Sequence, residues 1–409
     1  MERIVMFKNK FDCCGCGACM NICLKKAILM KEDECGFLYP QIDEKLCVKC
    51  GACKKVCSYQ NVAETNNPVD VYAAVSKNTD VLQSTSGGIF ASLATSVIHE
   101  GGIVYGASME YIDGVLTPMH IGVDSLTDLI KLQGSKYVQS YIGNTYQEVK
   151  KQLVDGRMVL FSGTPCQVAG LKSYLHNDYD TLLLLDLICH GVPSAKFFQD
   201  YIAQLENKLK GNIIRFKFRD KTDGWGLNGR ADYISKSGNQ KSILVLPGES
   251  SYYSLFLNSD IYRENCYSCK YANSQRPGDI TIGDYWGIEK EHPELLATYF
   301  DGRLERKKGV SCLIVNTEKG VRYMELYKSG LVAYPSLFEK VARSNDQLNA
   351  PSHTSSMRTY IMDLYKDKGY SAVEKWFIRK QGWKRYAKKL VNMMPAGFKI
   401  GLKKMMGKV

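Results

Sequence analysis

Cys13-x-x-Cys16-x-x-Cys19-x-x-x-Cys23 and Cys47-x-x-Cys50-x-x-Cys53-x-x-x-Cys57 carry one spacing twice, 34 residues apart, and both copies contain Cys-Gly-Ala-Cys. Two-residue gaps let a single backbone loop curl around an iron–sulfur cube and present three thiolates. The fourth is given across from the other repeat. This assigns Cys13, Cys16, Cys19 and Cys57 to one [4Fe–4S] cluster, and Cys47, Cys50, Cys53 and Cys23 to a second. Zinc sites rarely use four cysteines in so compact a run, and disulfides have no need of a doubled spacing.

The doubled spacing is that of a bacterial ferredoxin with two clusters. It departs from the usual motif in one respect. Leu24 and Ser58, rather than proline, follow the last cysteine of each repeat. Proline helps end the turn there but is not a ligand, so the assignment stands. Cys14 and Cys35 lie outside the pattern and read as small buried residues.

A chain of 409 residues has room for two or three domains and an ample core. Hydrophobic content of 45% and charged content of 23% are those of an ordinary globular protein. Fifteen cysteines, mostly at metal-type spacing, favour a reducing compartment. Met1-Glu2-Arg3-Ile4 opens no apolar signal region, and the apolar run around Leu182–Leu185 is too short to span a bilayer. The expected location is the cytoplasm. The net charge of +12 is concentrated in one place: residues 375–409 hold eleven Lys or Arg and no acid, which leaves +1 for the remainder.

Residues 1–60 form the ferredoxin-type domain, and the polar stretch 61–69 reads as a linker. Alternating strands and helices follow, so the expected class is α+β or α/β, a mixed α/β body behind the ferredoxin-like module. Val71–Val75 is a strand, Ile89–His99 a helix stopped by Gly101-Gly102, and Ile103–Ala107 a strand. Asn144 is the expected cap of a helix through Leu153. Met158–Phe161 and Thr181–Ile188 are strands, and Ser194 caps a helix over Ala195–Lys210. Strands at Ile213–Phe218, Ala231–Ile234, Ser242–Leu246 and Cys312–Val315 complete the body, with a helix near Val321–Lys328.

Two of these strands run into Cys166 and Cys189. As parallel neighbours they would place both thiols at the carboxyl edge of one sheet, where α/β folds bind ligands. Cys266-x-x-Cys269 offers two more thiolates, enough for a third cluster. Spacing alone leaves a zinc half-site with two buried cysteines equally open. Thr85-Ser86-Gly87-Gly88 precedes a helix whose positive end suits a phosphate, although Ser-Gly-Gly is also a common turn. His190 is a candidate proton donor, and its plainer role is structural hydrogen bonding. No Gly-x-Gly-x-x-Gly follows a strand, and there is no Walker A motif.

Ser-Gly-Gly-Ile-Phe from Ser86, Gln-Gly-Ser-Lys-Tyr-Val-Gln-Ser from Gln133, Gly-Thr-Pro-Cys-Gln-Val-Ala-Gly-Leu from Gly163, Cys-His-Gly-Val-Pro-Ser from Cys189 and Asp-Ile-Thr-Ile-Gly-Asp-Tyr-Trp-Gly from Asp279 stand in this order. With Lys308-Gly309-Val310-Ser311 they resemble the beta subunit of coenzyme F-420 hydrogenase/dehydrogenase, over residues 70 to about 320. The resemblance divides the body into an N-terminal-type region, 70–145, and a C-terminal-type region, 146–330, followed by a helical extension, 331–409. It implies FAD and [4Fe–4S] clusters, with electrons passing to a two-electron acceptor such as coenzyme F-420 or another small molecule. It makes Ser86, Gly87, Gly88, Gln133, Gly134, Ser135, Lys136, Tyr137, Val138 and Gln139 flavin-site candidates. Cys166, Cys189, Cys266 and Cys269 become ligands of a third cluster. The physical logic agrees, because clusters move single electrons and a flavin couples them to two-electron chemistry.

The implied partner is a low-potential electron donor, either a ferredoxin or a partner subunit. The rival function is an electron-delivery subunit with no substrate of its own. In the tail, Trp376, Trp383, Ala387, Leu390 and Met394 recur at near-helical spacing among lysines and arginines. That pattern suits weak contact with an anionic membrane surface, or more simply a helix docked on the body with its lysines solvated. No nucleic-acid recognition motif accompanies the charge.

Overall fold

The computed structural model describes residues 4–61, 64–77, 83–297 and 302–382. The charged tail from residue 383 onward, with Trp383, Ala387, Leu390 and Met394, lies outside the described residues.

The N-terminal repeat is visible in three dimensions. Helix α1 (Ala18–Asn21), the hairpin β1 (Ile28–Glu32) and β2 (Leu38–Ile42), and helix α2 (Ala52–Lys55) make up the module. Both short helices start after a left-handed glycine, Gly17 at φ 75° and Gly51 at φ 77°. The same hydrogen bonds recur 34 residues apart: Met20 N and Lys54 N donate to the glycine carbonyls, and Cys23 N and Cys57 N to Met20 O and Lys54 O. Glycine is needed there because other side chains disfavour that backbone region.

The body begins with β3 (Asp70–Ser76), α3 (Ile89–His99), β4 (Ile103–Ile112), β5 (Val115–Val123), α4 (Leu126–Leu132) and α5 (Thr145–Val154). It continues with β6 (Val159–Gly163), α6 (Pro165–Leu175), β7 (Leu182–Leu187), α7 (Ala195–Leu209), β8 (Gly211–Lys217), β9 (Gly229–Ser235), β10 (Gln240–Val245) and α8 (Ser251–Leu257). After these come β11 (Ile280–Asp284), α9 (Ile288–Glu291), β12 (Ser311–Val315), α10 (Glu318–Tyr327), β13 (Leu331–Pro335), α11 (Phe338–Ala342) and α12 (Arg358–Gln381), whose helical geometry breaks at Gly369.

Eight strands form one mixed sheet in the order β13-β3-β12-β11-β7-β6-β4-β5. Strands β11, β7, β6 and β4 are mutually parallel, and the flanking pairs are antiparallel. The continuous apolar runs of β6 and β7 reflect burial on both faces. Val159, Phe161, Leu182 and Leu184 face α5, α6 and the first cysteine loop, whereas Leu160, Leu183 and Leu185 face α3, α4 and α10. Strands β8–β10 form a separate three-stranded sheet that packs with α7, α8 and α12 around Phe198, Phe216, Phe218 and Tyr252. Among the described residues no helix is long and apolar enough to cross a membrane.

The mixed α/β class matches the sequence reading, while several details differ from it. Strand β5 and helix α4 extend the first expected unit. Asn144 makes no side-chain cap bond, whereas Ser194 Oγ accepts from Phe197 N as expected. Cys14 is buried, but Cys35 is only half-buried beside Met362 O. The N-terminal module is docked rather than tethered. Tyr59 OH donates to Asn265 O and Ser268 O, Tyr271 OH to Ser58 O, and Asn21 Nδ2 to Gly143 O. The stretch read as a linker also pairs with the body, since Asn66 and Arg276 exchange backbone hydrogen bonds.

Arg276 and Asp186 form a buried ion pair at 2.7 Å, with side-chain exposures of 1% and 0%. Asp186 also accepts from Gly278 N and Thr281 Oγ1, and Arg276 donates to Tyr271 O and Leu187 O. Removing one partner strands the other charge in the interior. Arg276→Met should therefore cost about 3–5 kcal/mol, read from denaturant midpoints, whereas Arg322→Met on the exposed pair with Asp180 should cost under about 1 kcal/mol.

Candidate functional site

The cysteines fall into three neighbouring groups. Cys13, Cys19 and Cys57 sit close enough to Cys16 for each thiol to raise its neighbours' pKa, with burial the larger cause. Cys57 therefore joins the first repeat's thiols, as the crossed ligation expects. Burial followed by the charges of Cys47 and Cys50 likewise raises Cys53, and Cys23 packs against Cys53 around Ile28. This second group is the outer one, because Cys50 is exposed.

Cys166 and Cys189 follow β6 and β7, which are parallel neighbours, so both thiols stand at the same sheet edge. Cys166 lies in the first turn of α6 rather than in the loop before it. Cys266 and Cys269 arrive from the loop tied down by Arg276, and together the four line one small pocket. Burial, then neighbouring thiols, pushes Cys189 up to about 12 and Cys269 up to about 11. Cys14 sits between this group and the first repeat's group, against both Cys16 and Cys166.

Burial holds most of these thiols protonated, whereas hydrogen bonds from Cys14 lower Cys16 and bring Cys166 down to about 7; a metal at either group would supply the positive charge that keeps its thiolates. Among the described residues no three His, Cys, Asp or Glu side chains stand close enough to share one metal ion. A four-iron cube gives each thiolate its own iron and so sets its ligands farther apart than a single ion does. The donor set of each group, four thiols, is of the kind such a cluster takes.

Beyond the third group opens a cavity of about 890 Å³, and Cys166 and Cys189 line both it and the small pocket. Ser86, Gly88 and Gln133 through Gln139 also line the cavity. Thr85 Oγ1 accepts from Ser135 N at 2.8 Å and joins the two loops. Gly87 faces away. Its N–H donates to Ser311 Oγ, and a Cβ there would lie 2.4 Å from Ala74 O. Gly87 is thus required for packing against β3 and β12, and a larger residue would disturb those strands rather than block a ligand. The Gln139 side chain is likewise committed, donating to Cys14 O and accepting from Arg263. Lys136 Nζ donates to Lys131 O and Gln133 O, and burial brings its pKa down to about 7. His190 lines the cavity and stays accessible, and desolvation lowers its pKa.

Several residues at or behind the cavity wall gave no sign in the sequence. Arg219, with a side chain 2% exposed, pairs with Asp284 at 2.9 Å, donates to Tyr137 OH and lies over the Trp286 ring. Trp225 stacks on Trp286 and donates to Asp284. Lys221 Nζ holds Ser86 O and Lys308 O, with its pKa brought down by burial to about 7. Asp284 and Trp286 belong to a motif visible in the sequence, but the residues that close around them come from separate elements and leave no local pattern.

Residues 156–335 match the family that describes the C terminus of the coenzyme F420 hydrogenase/dehydrogenase beta subunit. That segment belongs to the beta-subunit family. The resemblance drawn from the motifs is borne out over that segment. An uncharacterized protein of Methanocaldococcus jannaschii is 24% identical over 263 residues, 51% of this chain and 72% of that protein. A chain of the F420-reducing [NiFe] hydrogenase complex from Methanosarcina barkeri aligns over 73% of this chain and 93% of its own, at 14% identity and a TM-score of 0.42.

In the same cavity, His120 lies on the wall at 3% exposure. Its Nε2 lies 3.1 Å from Ser162 O and its Nδ1 2.9 Å from Ser140 Oγ, and burial lowers its pKa from 6.5 to about 4. Between those values the unfolded chain takes up a proton that the folded protein refuses. Stability should fall as pH drops from 6.5 to 4, by about 3 kcal/mol from this group. His120→Gln should flatten that limb in denaturation curves recorded across this range.

Proposed function

We propose that this chain carries electrons from a low-potential one-electron donor, through three [4Fe–4S] clusters, to FAD, and from there as a pair to a small-molecule acceptor. The observation behind this reading is the line of thiol groups that starts at exposed Cys50 and ends at the cavity wall with Cys166 and Cys189. The outer group is Cys23, Cys47, Cys50 and Cys53, the inner group Cys13, Cys16, Cys19 and Cys57, and the third Cys166, Cys189, Cys266 and Cys269.

FAD, when bound, supplies the exchange between one-electron and two-electron steps. The residues suited to hold it are Ser86, Gly88 and the Gln133–Val138 loop, with the amino end of α3 favouring its phosphates. Trp286, backed by Trp225, and Tyr137, backed by Phe256, give the cavity an aromatic wall that excludes water. His190 is accessible in the cavity and is the residue suited to move a proton there. Coenzyme F-420 is one acceptor of the required class.

Anaerobically purified protein should contain about twelve irons and take up FAD. Cys189→Ser should lose about four of those irons and leave the outer two clusters visible by EPR. Ala107→Trp, which fills the cavity from β4, should weaken flavin binding by about tenfold or more while iron content is kept. Protein with full iron that neither contains nor takes up flavin would refute the FAD assignment. Zinc in place of the third four irons would refute that cluster. Turnover of a small-molecule acceptor by the isolated chain, given a low-potential donor, separates an enzyme from a delivery subunit.

A further inference from the structure

We infer that Arg263 raises the reduction potential of the inner cluster site above that of the outer one, so that electrons entering at the exposed Cys50 loop run inward. The inference rests on the cluster reading just proposed.

Arg263 is 0% exposed. Its Nε donates to Cys13 O at 2.9 Å, its Nη1 to Gln139 Oε1 at 3.3 Å, and its Nη2 stands 3.7 Å from Cys13 Sγ. The guanidinium lies 4.0 Å above the Tyr39 ring. A guanidinium keeps its charge in a protein, and a buried charge requires a counter-charge. Among the described residues no carboxylate pairs with it. The adjacent Glu264 is turned toward Arg358 at 3.2 Å and accepts from Tyr39 OH at 2.9 Å. The other deeply buried arginines differ, since Arg276 is paired with Asp186 and Arg219 with Asp284. Among the contacts of Arg263, the group able to carry the missing negative charge is the Cys13 thiolate with the cluster it would ligate.

The consequence is electrostatic. Reducing a cluster adds one negative charge, and a fixed cation in low-dielectric surroundings stabilises the reduced form more than the oxidised one. Burial alone works the other way, because poor solvation disfavours added charge. Cys50 of the outer group is exposed and none of the inner thiols is, so burial alone would make the inward step uphill. Arg263 reverses that order. One electron leaves the reduced outer cluster and enters the inner one, and the external donor restores the first.

The test uses the full-length protein, prepared anaerobically, with iron and sulfide counted first. EPR-monitored redox titrations compare wild type, Arg263→Gln and Arg263→Lys, and Cys50→Ser identifies the outer signal. The inner cluster of wild type should titrate above the outer one. Arg263→Gln should lower the inner midpoint below the outer and leave the outer unchanged, while Arg263→Lys keeps the wild-type order. An unchanged inner midpoint in Arg263→Gln at full iron content overturns the proposal. So does an equal shift in Arg263→Lys, which would mark a packing effect. If Arg263→Gln loses iron, wild type decides: an inner cluster at or below the outer one overturns the idea. Wild-type protein without cluster iron would instead sink the cluster reading, and this inference with it.

Discussion

The Arg276–Asp186 ion pair is the constraint on which the site depends. A buried ion pair is a poor way to gain stability, since desolvating two charges offsets most of their attraction. Its value here lies in direction. Asp186 is fixed in β7, three residues before Cys189, and it also receives Gly278 N and Thr281 Oγ1 at the start of β11. Arg276 reaches back to Tyr271 O, two residues after Cys269, and to Leu187 O. One fork of hydrogen bonds thus fixes both the strand that ends in Cys189 and the loop that carries Cys266 and Cys269. An apolar pair of equal volume would fill the same space but would leave that loop free to slide. Asn66 extends the same junction to the chain leaving the N-terminal module.

The docking of that module follows from the same geometry. Tyr59 and Tyr271 bond reciprocally across the junction, Tyr59 to the cysteine-bearing loop and Tyr271 to Ser58 beside Cys57. Cys14, outside the ligand spacing, fills the gap between the inner group and Cys166. Electron transfer depends steeply on distance, so a module on a free linker would lose the short path that these contacts hold. The buried cations divide the work. Arg276 and Arg219 are neutralised by carboxylates and act as braces, whereas Arg263 has none and acts through its field.

Much of this was legible in the sequence. The gathering of the cysteines could be read because the same two-residue spacing folds each repeat into the same turn, and Cys57 does stand with the first repeat's thiols. The edge shared by Cys166 and Cys189 could be read because a run such as Leu182–Leu185 fits a strand buried on both faces. Helix α3 was placed to the residue by its flanking glycines. What stayed hidden was made of single polar side chains acting across the fold. Arg263 meets Cys13 from 250 positions away, and Arg219 meets Tyr137 from 82. Neither leaves a periodic or local mark. Gly87 was misread for a related reason: a glycine that lets a ligand approach and one that lets a strand approach look alike in sequence.

The cavity also reaches beyond the segment that matches the family. Gly163, Thr164, Leu187 through Val192, and Ile282 to Asp284 with Trp286 all lie inside residues 156–335. Ser344 through Gln347 and Ala350 through Ser356 lie outside it and form another wall. That wall is held by specific bonds, from Ser352 Oγ to His190 O, from Gln347 Nε2 to Ser352 Oγ, and from Ser355 Oγ to Asp260. The same bond that fixes the wall therefore fixes the backbone of His190, the accessible histidine of the cavity. The thiol edge belongs to the shared segment, and the shape offered to an acceptor depends as well on a later stretch that the family match does not cover.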